Sequence, residues 1–149
     1  MPEEKTVNER RAAGVLLVQV DPKCRPMSFL LMKHADRWDL PKGHCDGDET
    51  FRATAEREFA EETGVDAKTL NWDTEFQFDL QYEVHRGQRT WQKHVRYYLA
   101  TCRELPQIVP TEHEGYQWWD YCPPHEIQSQ TIDPLLAATE THFKALLRG

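Results

Sequence analysis

The sequence predicts an α/β sandwich, a mixed β-sheet held between helices on its two faces. Three patterns predict it: apolar, β-branched runs near the N-terminus, a period-two segment in mid-chain, and two helical segments on either side of that segment. The 149 residues fit one domain, so 1–149 is read as a single unit in which 1–10 form a flexible N-terminal segment.

Residues 12–20 (AAGVLLVQV) are apolar enough for a buried strand. Asp21, Pro22 and Pro26 interrupt them, and 28–33 (SFLLMK) resume, which reads as a hairpin with a longer loop. Residues 38–44 lead into a loop rich in Gly and Asp that ends at Glu49. Residues 50–63 are mostly good helix formers, and Gly64 follows where helices commonly terminate on glycine. Phe76, Phe78, Leu80, Tyr82 and Val84 then alternate with Gln77, Asp79, Gln81 and Glu83, the period of a strand with one apolar face. Residues 85–88 read as a turn, and 91–102 return as a strand with Val95, Tyr97 and Leu99 on one face. A short strand is expected at 116–121 (YQWWDY). Asp133 and Pro134 read as the N-cap and first residue of a terminal helix whose stripe is Leu135, Ala138, His142, Phe143 and Leu146.

Composition narrows the function classes. Lys and Arg number 18 against 25 Asp and Glu, a net charge of −7, with a mean hydropathy of −0.77. Duplex nucleic acid is bound through Lys/Arg neutralisation of phosphates, so this balance disfavours it as a partner. No stretch approaches the ~18 apolar residues of a membrane span, and residues 1–11 lack the apolar core of a signal peptide. Cys24, Cys45, Cys102 and Cys122 form no C-x-x-C pair and read as free thiols of a cytoplasmic protein. Five of the seven net negative charges fall within 43–65. A phosphorylated small molecule therefore stays open as a partner, provided a metal ion supplies the positive charge.

The chemistry centres on the helix at 50–63. At about 100° per residue, Phe51, Ala55 and Phe59 define its apolar stripe. Glu58, Glu61 and Glu62 stand at i, i+3 and i+4, and Glu58 and Glu62 fall within or beside the apolar arc. Like charges at a core margin repel and raise one another's pKa unless something neutralises them. A hard divalent cation with oxygen ligands suits that role, as Mg²⁺ does with carboxylates and substrate phosphates. A solvated acidic face is the alternative that position alone leaves open.

Spacing decides between them. From Gly43 the chain reads G-x5-E-x7-R-E-U-x-E-E-x-G-U, with U apolar, through Glu49, Arg57, Glu58, Phe59, Glu61, Glu62, Gly64 and Val65. This resembles the Nudix box at every position, a match expected by chance with a probability on the order of 10⁻⁷. The resemblance implies hydrolysis of a pyrophosphate linkage in a nucleoside diphosphate linked to another moiety, with Mg²⁺ or Mn²⁺ as cofactor. Position by position, it implies that Glu58, Glu61 and Glu62 bind metal and that Glu49 and Arg57 brace the helix. It also implies that the Gly43 carbonyl approaches a metal. Glu61 or a residue outside the box would serve as general base.

Outside the box the chain resembles the asymmetrically cleaving bis(5′-nucleosyl)-tetraphosphate hydrolases. Four stretches carry this: RAAG at 11–14, WDLPKGH at 38–44, KHVRYYL at 93–99 and EHEGYQW at 112–118. The likeness implies that Lys42, His44 and Lys93 contact substrate, that Tyr97 stacks on adenine, and that Glu112 is a further metal ligand. The P-K-G element is shared with diphosphoinositol-polyphosphate hydrolases. The loop GHCDGDE (43–49) departs from the usual G-H-V-E-P-G-E by shifting a glycine and lacking the proline. The expected activity is conversion of diadenosine tetraphosphate to ATP and AMP by a monomer or weak homodimer. The alternatives are action on nucleoside triphosphates, diphosphoinositol polyphosphates or 5′-triphosphate RNA, and a non-catalytic nucleotide sensor.

Overall fold

The computed structural model describes residues 9–111 and 115–148. In chain order they form β1 (Glu9–Val20), β2 (Pro26–Lys33), β3 (Trp38–Asp39), β4 (Lys42–His44), α1 (Phe51–Thr63), β5 (Asn71–Arg86), β6 (Arg89–Cys102), β7 (Gly115–Asp120) and α2 (Ile132–Arg148). A single 3-10 turn at Ala67–Thr69 follows α1. The sheet order is β3-β2-β1-β6-β5, with β4 also on β1 and β7 also on β2. β1 and β6 run parallel from Glu9↔Gln92 to Gln19↔Cys102, while the other pairs are antiparallel. The sheet is therefore mixed, as expected.

Both faces are covered, which explains why β1 is apolar without alternation. Leu16 and Val18 pack with Phe29, Leu31, Val95 and Leu99 under Ile132, Leu135, Leu136 and Phe143 of α2. The alternate residues Val15 and Leu17 pack with Leu30 and Met32 under Ala55 and Phe59 of α1. Full burial of a side chain such as Phe59 contributes about 2–3 kcal/mol toward holding α1 on the sheet. No helix of the described residues is long and apolar enough to cross a membrane, and Cys24, Cys45, Cys102 and Cys122 are all unpaired.

Four details differ from the sequence expectation. β1 begins at Glu9, so Glu9 and Arg10 are paired strand residues rather than part of a flexible 1–10 segment. β3 and β4 form within 38–44, to which the sequence assigns no strand, because strands of two or three residues flanking Pro41 are too short to show a period. α2 starts earlier than Asp133: the Gln128 side chain accepts from the Thr131 and Ile132 N–H groups, and Thr131 O takes the Leu135 N–H at 3.0 Å. Asp133 instead accepts from the N–H groups of Ile127 and Gln128, folding back the preceding loop. Finally, the buried stripe of α2 is Ile132, Leu135, Leu136, Thr139 and Phe143, and Leu146 is 51% exposed.

α1 is closed at both ends. Thr50 Oγ1 accepts the Ala53 N–H at 3.1 Å, and Gly64 takes a left-handed conformation (φ 74°) with its N–H on Ala60 O. A Cβ at Gly64 would also meet Val109 Cβ at 3.1 Å. Gly64→Ala is expected to destabilise the fold by about 1 kcal/mol, read as a lowered urea midpoint. An unchanged midpoint would contradict this account of the cap.

Candidate active site

β4 lies antiparallel on β1, with Ala12↔His44, Ala13↔Gly43 and Gly14↔Lys42 in register, and α1 packs against both strands. This crossing brings two glutamates onto the β4 backbone. The Glu58 carboxylate sits so close over Gly43 that a Cβ on Gly43 would overlap it. Glu62 is 9% exposed, and its Oε1 accepts the Lys42 N–H at 3.2 Å. Both carboxylates of the i, i+4 pair are thus enclosed, as their place beside Phe51 and Ala55 implied. The third, Glu61, turns outward with its side chain 58% exposed.

Arg57 is the counter-ion of the cluster. Its Nε and Nη2 make a two-pronged pair with Glu49 at 2.9 Å each, and Nη1 reaches Glu58 Oε2 at 2.8 Å and Glu61 Oε1 at 3.3 Å. Nη2 also donates to His44 O at 3.0 Å and lies 3.4 Å from Asp46 Oδ2. One guanidinium thereby ties α1 to the loop before it. That loop closes despite its departure from the family pattern: Glu49 N donates to Asp46 O at 2.9 Å, and Asp46 N to Glu49 Oε1 at 3.0 Å. Arg11 adds a brace, with Nη1 on Glu49 O at 3.0 Å and its guanidinium over the Phe51 ring at 4.3 Å.

Hydrogen bonds from Arg57, joined by the Asp46 N–H and the Thr54 hydroxyl, pull the Glu49 pKa from 4.5 to about 2. Glu49 and Glu58 hold the Arg57 pKa above its ordinary value. Because the folded pKa of Glu49 is depressed, its stabilising contribution is present above pH 4.5 and lost as pH falls toward 2. The stability difference between the wild type and Glu49→Gln is expected to be constant above about pH 5 and to shrink through that acid window. A difference unchanged at low pH would show that the pair carries no linkage.

The opposite face of the sheet carries cations at the same end. Lys42 Nζ lies 3.2 Å from Asp39 Oδ2, a buried carboxylate. The register sets Arg10 beside Lys93 and Ala12 between His44 and Val95. Burial lowers the His44 pKa, reinforced by Lys93, Arg10 and Lys42. Burial likewise lowers that of Lys93, with further lowering by Lys42, Arg10 and Arg86. Lys42, His44 and Lys93 are thus brought to one end of the sheet. Arg10 joins them and was missed, because only the parallel pairing of β1 with β6 reveals it.

One aromatic assignment changes. Tyr97 is 2% exposed within the core under α2, and burial raises its pKa, so its ring is enclosed rather than presented as a stacking surface. Tyr82, by contrast, is 45% exposed and lies directly opposite Lys93 in register. Glu112 lies outside the described residues. Thr111, next to it in sequence, donates to Glu61 O at 2.7 Å.

The donor set fits a hard cation: two enclosed carboxylates and one exposed carboxylate around a backbone glycine, all oxygen ligands. As they stand, no three acidic, His or Cys side chains among the described residues converge closely enough to hold an ion. Glu58 and Glu61 are turned toward Arg57.

The NUDIX domain family model matches residues 8–145, and the chain belongs to that family. It is 32% identical to the mouse (Mus musculus) asymmetrical bis(5′-nucleosyl)-tetraphosphatase over 117 residues, covering 72% of this chain and 77% of the mouse protein. The rat (Rattus norvegicus) counterpart matches over the same length at the same identity and coverage. Among solved structures, a C. elegans Ap4A hydrolase in a binary complex superposes with a TM-score of 0.73 at 24% identity, covering 91% of this chain and 98% of that one. The fold is the Nudix fold, and the protein is a Nudix pyrophosphohydrolase resembling the asymmetric tetraphosphatases.

Proposed function

We propose that this Nudix hydrolase cleaves dinucleoside polyphosphates, converting diadenosine tetraphosphate and water to ATP and AMP in the presence of Mg²⁺ or Mn²⁺. The observation that carries the reading is the row of three cations, Lys42, Lys93 and Arg10, with the His44 imidazole among them, at the same end of the sheet as the contact of Glu58 and Glu62 with β4. Four cationic or ionisable groups in a row suit a polyphosphate chain better than a single phosphate. The names of the mouse and rat relatives support the same substrate class.

A divalent cation held by Glu58, Glu61, Glu62 and Gly43 O would neutralise phosphate oxygens and acidify the attacking water. The remaining work falls to this chain. Arg57 and Glu49 fix α1 against the loop so that Glu58 and Glu62 stay at β4. Lys42, His44, Lys93 and Arg10 bind and align the phosphates, and Tyr82 offers its exposed ring to a base. The complete set of three glutamates weighs against a sensor that binds without cleaving.

A substrate panel tests the proposal: diadenosine tetraphosphate should turn over far better than nucleoside triphosphates, diphosphoinositol polyphosphates or 5′-triphosphate RNA. Failure on dinucleoside polyphosphates alongside good turnover of another class would overturn it. Within that assay, Lys93→Ala is expected to raise KM about tenfold, the loss of one charge-assisted contact, with kcat changed little. An unchanged KM would remove Lys93 from the phosphate path.

A further inference from the structure

β5 is the outer strand of the sheet. β6 pairs with one of its edges, and no strand among the described residues pairs with the other. Such an edge presents a row of backbone N–H and C=O groups ready to pair with another chain. β5 runs 16 residues, and its one register irregularity lies between Trp72 and Gln77. From Gln77 to Arg86 the pairing with β6 is continuous, so the free edge there is regular. One face carries half-buried Phe78, Leu80 and Val84 with exposed Tyr82, and the other carries Gln77, Asp79, Gln81 and Glu83.

We propose that this edge pairs antiparallel with the same edge of a second copy of the chain, about a two-fold axis through Leu80. Every second residue of an edge turns its N–H and C=O outward. Two identical edges related by a two-fold axis therefore match only when the axis passes through a residue, so that residues of like parity face each other. Charge then selects among those registers. An axis at Asp79 sets that residue against itself, and an axis at Gln81 sets Asp79 against Glu83. An axis at Phe78 leaves only Gln77, Phe78 and Asp79 of the regular edge in register. An axis at Tyr82 avoids like charges but sets Phe78 against Arg86 and is cut off by the turn at Gly87.

With the axis at Leu80, Leu80 faces its own copy, Asp79 faces Gln81, Gln77 faces Glu83 and Phe78 faces Tyr82. One face then consists of carboxylate–amide pairs and the other of apolar and aromatic pairs, with no like charges opposed. Asp79 keeps its Arg96 partner at 2.8 Å, and Glu83 its Gln92 hydrogen bond at 3.1 Å, both on the β6 side. A cavity of about 480 Å³ lined by Leu80, Gln81, Tyr82, Gln130 and Thr131 borders this edge, and the second copy's strand would wall it.

Sedimentation velocity of the full chain from roughly 1 to 300 μM, the range in which small interfaces dissociate, tests the pairing. The wild type should show a reversible monomer–dimer equilibrium, and amides within 77–83 should gain hydrogen-exchange protection as concentration rises. Gln77→Glu opposes a carboxylate to Glu83 of the second copy twice per dimer and should raise the dimer Kd at least about tenfold. Gln77→Lys should lower it. A monomer at every concentration overturns the proposal. So does a dimer with the same Kd in both variants, or one whose protection lies elsewhere, such as around exposed Leu146 and Leu147.

Discussion

Glu62→Gln is expected to keep the fold and to lose turnover by a factor on the order of 10²–10³ or more. Its amide oxygen can still accept the Lys42 N–H that Glu62 Oε1 takes at 3.2 Å, and the volume at this enclosed position is unchanged. What disappears is a negative charge placed against β4. Glu58→Gln should behave alike, since the Gly43 contact constrains shape and not charge. The checks are kcat, thermal unfolding and Mn²⁺ affinity measured calorimetrically, in which both variants should bind the ion more weakly. Full activity in either variant would show that these carboxylates do not hold the metal.

Gly43→Ala is expected to cause a comparable loss by moving Glu58 without altering any ligand. The added Cβ would occupy the place of the Glu58 carboxylate, which must swing away from the β4 backbone. Arg57 Nη1, 2.8 Å from Glu58 Oε2, would move with it or lose the contact. Overpacking of this kind typically costs about 1–3 kcal/mol, and β4 is a three-residue strand at the sheet margin, so the domain should still fold. The expected outcome is a folded protein with turnover reduced about a hundredfold and weakened metal binding. Unchanged kcat would mean that the approach of Glu58 to Gly43 has no part in the chemistry.

The parts of this molecule legible in sequence are those written in local spacing. α1 could be read because its cap, its stripe and its three glutamates recur within one helix, and the enclosure of Glu58 and Glu62 followed from their angle to Phe51 and Ala55. β1 was legible because a strand buried on both faces reads as an apolar run, and β6 because Val95, Tyr97 and Leu99 alternate along one face. What failed was set by distant pairing. Arg10 joins Lys93 only through a parallel register across more than eighty residues. Tyr97 alternates with Val95 and Leu99 like any core residue, and the covering by α2 that encloses it is a tertiary fact. The start of α2 was misplaced because Asp-Pro is a strong local cap signal, while here Gln128 does the capping and Asp133 serves the loop.

The carboxylates against β4 and the cations on the other face of the sheet at the same end would together cleave a dinucleoside polyphosphate asymmetrically. Product analysis of diadenosine tetraphosphate hydrolysis in water labelled with heavy oxygen tests it most directly. The expected result is ATP and AMP in equal amounts, only when Mg²⁺ or Mn²⁺ is added, with one label per turnover confined to one product and thus marking the phosphorus attacked. Formation of ADP alone, or no turnover of this substrate by a protein active on another polyphosphate, would contradict it.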